Sequence, residues 1–147
     1  MEQGTQFHSG VPVKLVLVAD DHKDTLDTLI VVLEMYKYRV VRACNGQEAV
    51  DVAIQNRPDI ALLDIEMPVM DGFEAARRIR AEQSLLHTLI IAISGHVTPS
   101  HKATGRAAGM HAHLAKPVPT STLLWFMGHA EGVPPSDPTH TWNIPYK

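Results

Sequence analysis

The 147 residues accommodate one domain of ordinary size with some slack at its ends. A single cysteine, Cys44, excludes an internal disulfide, and a scattered net charge of −3 offers no Lys/Arg block to hold a nucleic acid. No apolar run approaches the ~20 residues of a membrane span, and residues 1–12 lack an apolar signal core, so the expected location is the cytoplasm, off the membrane.

Residues 13–19 (VKLVLVA) are almost continuously apolar, which suits a strand buried on both faces of a parallel sheet. Asp20 and Asp21 follow at once. Leu26, Leu29, Ile30 and Leu33 then form a helical stripe, with Asp24 as the expected cap. Residues 39–43 (RVVRA) predict a second strand. Asn45 and Glu48 form a capping-box pair opening a helix that turns Ala49, Val50, Ala53 and Ile54 inward, and Pro58 ends it.

The third strand, 59–63 (DIALL), again runs into a carboxylate, Asp64. A loop with Pro68 and Gly72 leads to a helix near 73–81, capped by Asp71 with Glu74 as its partner. The fourth strand, 89–93 (LIIAI), ends at Ser94. Thr98 and Pro99 open the next helix and Gly109 closes it. Residues 111–115 (HAHLA) predict a fifth strand ending at Lys116, followed by a short helix near 120–129.

Strands and helices thus alternate five times, which argues for an α/β fold: a doubly wound, five-stranded parallel sheet with helices on both faces. The expected organisation is a flexible leader (1–11), one domain (12–130) and a Pro-rich tail (131–147) holding Pro134, Pro135, Pro138 and Pro145.

In an open parallel sheet, ligands bind beyond the carboxyl ends of the strands. Asp20, Asp21, Asp64, Ser94 and Lys116 all fall there. Three carboxylates in one crevice repel one another, and a hard divalent cation such as Mg²⁺ removes the conflict. Asp21 and Asp64 are natural direct ligands, Asp20 binds directly or through water, and the backbone carbonyl of Glu66 is a further donor. A carboxylate also serves as the nucleophile in forming an aspartyl phosphate. Phosphoryl transfer needs positioning and charge neutralisation above all. Mg²⁺ supplies that on one side and the Lys116 ammonium on the other, while the Ser94 hydroxyl reaches a phosphoryl oxygen. Gly95 leaves the in-line approach open.

The segment Asp64-Ile65-Glu66-Met67-Pro68-Val69-Met70-Asp71-Gly72 closely resembles the D-x-x-M-P-x-M-D-G segment of response-regulator receiver domains. Asp20-Asp21, Ser94-Gly95 and Lys116-Pro117 match the family's other landmarks, in order, so the resemblance spans about residues 13–128. It implies a flavodoxin-like (CheY-like) fold and a phosphorylation-dependent switch rather than an enzyme. Asp64 would be the phospho-acceptor and Asp20 and Asp21 the Mg²⁺ holders, with Ser94 and Lys116 as switch residues and a cis Lys116–Pro117 bond. The phosphoryl donor would be a sensor histidine kinase or a histidine phosphotransfer domain. Output would be contact with a downstream protein or onward phosphotransfer.

Two departures matter. The family usually carries Tyr or Phe three residues before the lysine, where this chain has His113, whose charge adds a pH term. Ser94 stands where threonine is common. Glu66 and His96 flank the site at positions that tune the lifetime of the aspartyl phosphate.

Blander readings weigh against each assignment. Adjacent acids such as Asp20 and Asp21 are often a solvated turn, and strand-end serines commonly cap backbone groups. His111 and His113 would share a strand face, but no cysteine or carboxylate beside them has metal-motif spacing. Cys44 is expected to be a small buried or half-buried hydrophobe. Trp142 and Tyr146 either anchor the tail or belong to a disordered end, with disorder favoured.

Two other functions remain open. A phosphatase of the haloacid-dehalogenase type also uses an aspartyl phosphate, but Asp20-Asp21-His22 lacks its D-x-D segment. A non-phosphorylated binding module on the same fold would find its only support in His113. The Met1 start and the tail favour a complete small protein over a receiver cut from a hybrid kinase.

Overall fold

A computed structural model describes residues 13–134. Its five strands are β1 (Leu15–Ala19), β2 (Arg39–Ala43), β3 (Ile60–Asp64), β4 (Leu89–Ser94) and β5 (Ala112–Ala115). Between and after them run α1 (Lys23–Met35), α2 (Gly46–Asn56), α3 (Gly72–Ala81), α4 (Pro99–Ala107) and α5 (Thr120–Phe126). The sheet is parallel throughout, in the order β2-β1-β3-β4-β5. The predicted fold class holds.

Side chains alternate across each strand and build two cores. On one face Leu17, Leu63 and Ile90 pack against Ala49 and Ala53 of α2 and Phe73, Ala76 and Ile79 of α3. On the other, Val16, Val18, Leu62 and Ile91 meet Leu26 and Leu33 of α1 and Leu123 and Phe126 of α5. Each buried Val, Leu, Ile or Phe among them stabilises the fold by roughly 1.5–3 kcal/mol. Among the described residues no helix is long and apolar enough to cross a membrane.

The caps follow the predicted chemistry in three places. Asn45 Oδ1 accepts from the Glu48 amide at 2.8 Å, Asp71 Oδ1 from the Glu74 amide at 2.9 Å, and Thr98 Oγ1 from the His101 amide at 3.1 Å. Asp24 does not cap α1: it lies inside the first turn, and His22 takes the cap position without a side-chain bond. Three further expectations fail. Cys44 is exposed, because it follows the edge strand β2. Ile54 is 40% exposed, since the last turn of α2 runs past the sheet. Asp59 stays outside β3 and instead accepts a hydrogen bond from the Leu15 amide at 2.9 Å. The expectations for Trp142 and Tyr146 lie outside the described residues.

A turn of 3-10 helix at Gln83–Leu85, absent from the sequence reading, joins α3 to β4. The Arg80 guanidinium holds this end together. It donates to the carbonyls of Leu85, Leu86, Thr88 and Gly109, at 2.8–3.2 Å. Beyond α5, Gly128 turns with φ 80° and the His129 ring packs on Tyr36 and Tyr38, with centroids 5.3 and 5.7 Å away. The chain then reverses along α5, where the Val133 amide donates to the Ser121 carbonyl at 3.0 Å.

Candidate functional site

The chain leaves β1 for β2 on one side and returns to β3 on the other. This reversal opens a crevice at the carboxyl ends of β1 and β3. Asp20 stands at its edge, buried, and Asp64 closes β3, buried between β1 and β4. Asp21 is exposed beside them.

The Lys116 ammonium crosses from beyond β5 and donates to Asp64 Oδ2 at 3.1 Å and to Asp20 Oδ2 at 3.2 Å. The Lys116–Pro117 bond is cis, as the resemblance implies. Asp64 Oδ1 accepts from the Glu66 amide at 3.1 Å. His22, which the sequence reading passed over as a ligand, places Nδ1 3.3 Å from Asp20 Oδ1 and 3.2 Å from Asp21 Oδ1.

Burial pushes the Asp64 carboxyl up, against the opposing pull of the Glu66 amide and Lys116. Burial also depresses the Lys116 ammonium, but its bond to Asp64 and the charges of Asp64 and Asp20 outweigh that and raise it. The pocket is therefore short of positive charge.

Asp20, Asp21, His22 and Asp64 each offer a ligand atom within 4.8 Å of the others. Three of the four groups are carboxylates, the donor set of a hard cation such as Mg²⁺, so the residues fit such an ion. The loop after β3 brings Gly72 against the Asp64 backbone. A Cβ there would fall 2.4 Å from the Asp64 carbonyl oxygen, so only glycine closes this turn.

Ser94 is buried and turned toward β5. Its Oγ donates to the His96 carbonyl at 2.6 Å and lies 2.9 Å from His113 Nε2. The His96 amide approaches the same oxygen at 3.3 Å. A hydroxyl has one proton and two lone pairs. Its proton goes to His96 O, so His113 donates from Nε2. Burial favours the neutral ring, holding His113 down at about 4, assisted by the charges of His101 and Lys102. The hydroxyl's hydrogen-bonding capacity is thus filled within the protein.

The His113 ring stands 6.3 Å from both Phe73 and His101, centroid to centroid. The sequence reading named neither neighbour, because α3, α4 and β5 converge there only in three dimensions. At the mouth, exposed His96 Nδ1 meets Glu66 Oε2 at 2.8 Å, linking the β3 and β4 loops.

The structure thus gathers Asp20, Asp21, Asp64 and Lys116, and turns Ser94 toward His113. The family model of the response regulator receiver domain matches residues 16–126. The chain is a response-regulator receiver domain.

This receiver domain is 35% identical to protein PilH of Pseudomonas aeruginosa over 111 residues, 74% of this chain and 90% of that protein. It resembles the chemotaxis protein CheY4 of Vibrio cholerae with a TM-score of 0.75 and 31% identity, covering 79% of this chain and 97% of that one. It also resembles the receiver domain of the sensor histidine kinase PA1611 of Pseudomonas aeruginosa, solved with a magnesium ion in its active-site cleft. There the identity is 30% and the TM-score 0.72, over 78% of this chain and 94% of that one. Receiver domains are phospho-accepting switches rather than enzymes, and the acidic cluster on this fold supports phosphorylation-based signalling.

Proposed function

We propose that this receiver domain, as a unit of residues 12–130, accepts a phosphoryl group from a phosphohistidine onto Asp64, in the cytoplasm. The observation that carries the reading is the Lys116 ammonium bridging buried Asp20 and Asp64 beside exposed Asp21. A nucleophilic carboxylate, a fixed cation and spare oxygen donors meet at one crevice.

The Asp64 oxygen attacks phosphorus, the N–P bond of the phosphohistidine breaks, and the imidazole leaves with the bonding pair. Asp20, Asp21, Asp64 and the Glu66 backbone carbonyl would hold Mg²⁺, whose chemistry is to neutralise charge on the phosphoryl oxygens. The magnesium in the PA1611 receiver domain supports that identity of the ion.

Lys116 balances the new charge. Ser94 exchanges its bond to the His96 carbonyl for one to a phosphoryl oxygen, and this releases His113. Glu66 and His96 flank the mouth and tune hydrolysis. A sensor histidine kinase or a phosphotransfer domain supplies the phosphoryl group, and a downstream protein reads the changed surface.

Acetyl phosphate and Mg²⁺ should add one phosphoryl mass to the wild type and none to Asp64→Asn, by intact mass spectrometry. An adduct of equal yield on Asp64→Asn would defeat the assignment.

A further inference from the structure

A nitrogen stands among the oxygens of the acidic crevice. His22 is the N-cap residue of α1, yet its side chain makes no cap bond to the helix. The ring turns back instead, with Nδ1 3.3 Å from Asp20 Oδ1 and 3.2 Å from Asp21 Oδ1. The backbone fixes the root of that ring at two points. The His22 amide donates to Asp20 Oδ1 at 2.8 Å, and the His22 carbonyl accepts from the Leu26 amide at 3.0 Å. The side chain itself is 71% exposed, so an ion arriving from solvent meets it directly.

These spacings suit a coordination sphere. Around an octahedral ion with bonds of about 2.1 Å, adjacent donors lie about 3.0 Å apart. Both His22 contacts fall within a few tenths of an ångström of that value. Asp64 completes the group, whose four ligand atoms all lie within 4.8 Å of one another. Lys116 does not compete for the same atoms. Its ammonium takes Oδ2 of Asp20 and of Asp64, while His22 faces Oδ1 of Asp20 and of Asp21. Charge points the same way. Three carboxylates less one ammonium leave two negative charges, which a neutral imidazole does not reduce and a divalent ion cancels.

The donor set then decides which divalent ion is favoured. Mg²⁺ is a hard ion that takes oxygen ligands and gives up its waters reluctantly. An imidazole nitrogen suits first-row transition ions better, with affinity rising from Mn²⁺ through Co²⁺ to Ni²⁺.

We infer that His22 Nδ1 is a direct ligand of the cation held by Asp20, Asp21 and Asp64, and that it biases this site from Mg²⁺ toward a first-row transition ion such as Co²⁺. The ring then carries its proton on Nε2 and turns the Nδ1 lone pair to the ion. The inference rests on the reading of a divalent cation at the three aspartates, and adds to it a nitrogen donor that selects the metal.

The test uses the full chain, stripped of metal and loaded with Mn²⁺ as a spin probe. Pulsed electron paramagnetic resonance should show the coupling of a coordinated nitrogen nucleus in the wild type. His22→Ala and His22→Gln should both lose it. Calorimetric titrations with Co²⁺ and with Mg²⁺ then read the selectivity. His22→Ala should weaken Co²⁺ binding about tenfold or more, the scale on which even the partners of metal ligands act, and leave Mg²⁺ binding almost unchanged. No nitrogen coupling in the wild type, coupling that survives in His22→Ala, or an equal loss of both ions would overturn the inference. Asp21→Asn separates this failure from that of the underlying site. If it weakens both ions while His22→Ala shifts neither, the cation site stands and the nitrogen assignment falls. If Asp21→Asn shifts neither ion, the cation site falls and the inference with it.

Discussion

Ser94 and His113 show how one substitution alters the physics of a switch without removing its parts. A ring at this position fills space, but an imidazole also donates to the Ser94 hydroxyl and must stay neutral to remain buried. With His113 held near 4 in the fold and near 6.5 when unfolded, the unfolded chain binds the extra proton between those values. Stability must therefore fall as pH drops from 6.5 to 4, by on the order of 3 kcal/mol from this residue. His113→Phe should flatten that part of the profile, measured by urea unfolding across the window; an unchanged slope would refute the assignment. Asp64 runs the other way. Burial raises its carboxyl, so the ionised form weighs against the fold, and increasingly as pH rises through its folded value. In metal-free buffer at pH 7, Asp64→Asn should melt above the wild type. Mg²⁺ should narrow the gap by stabilising only the wild type. A lower melting point for the variant would show that the carboxylate supports the fold.

At the scale of elements, β1, β3 and β4 were legible because a doubly buried strand must be an apolar run, and β1, β3, β4 and β5 each led to a polar site residue as expected. The caps at Asn45, Asp71 and Thr98 were equally legible, since a cap is a contact within four residues. What escaped was long-range. Cys44 is exposed because β2 is an edge strand, which depends on strand order. The partners of His113 come from three other elements. In the sequence Arg80 is one charge beside Glu74, Arg77 and Arg78 on α3, yet its guanidinium gathers carbonyls from the 3-10 turn, from just before β4 and from before β5. Arg80→Ala strips these carbonyls of a charged donor and should cost about 2–4 kcal/mol, measured by chemical denaturation. Arg80→Lys should recover only part, because one ammonium cannot span the fork. A loss below about 0.5 kcal/mol in the alanine variant would mean that water replaces the guanidinium without penalty.

For the whole molecule, strand order assigns each site residue a different mechanical setting. Asp64 ends the central strand, with β1 on one side and β4 on the other. Lys116 and His113 belong to or follow β5, an edge strand that among the described residues pairs with β4 alone. Backbone amides of β3 can be freed only by breaking the sheet, whereas those of β5 are released by local opening at the edge. Hydrogen exchange should therefore rank β3 slowest and β5 among the faster strands, and phosphorylation should slow β5 far more than β3. The residue proposed to receive the phosphoryl group would then act as the anvil of the fold. The strand that senses the event would be the hinged leaf beside it, free to breathe until the new charge holds it shut.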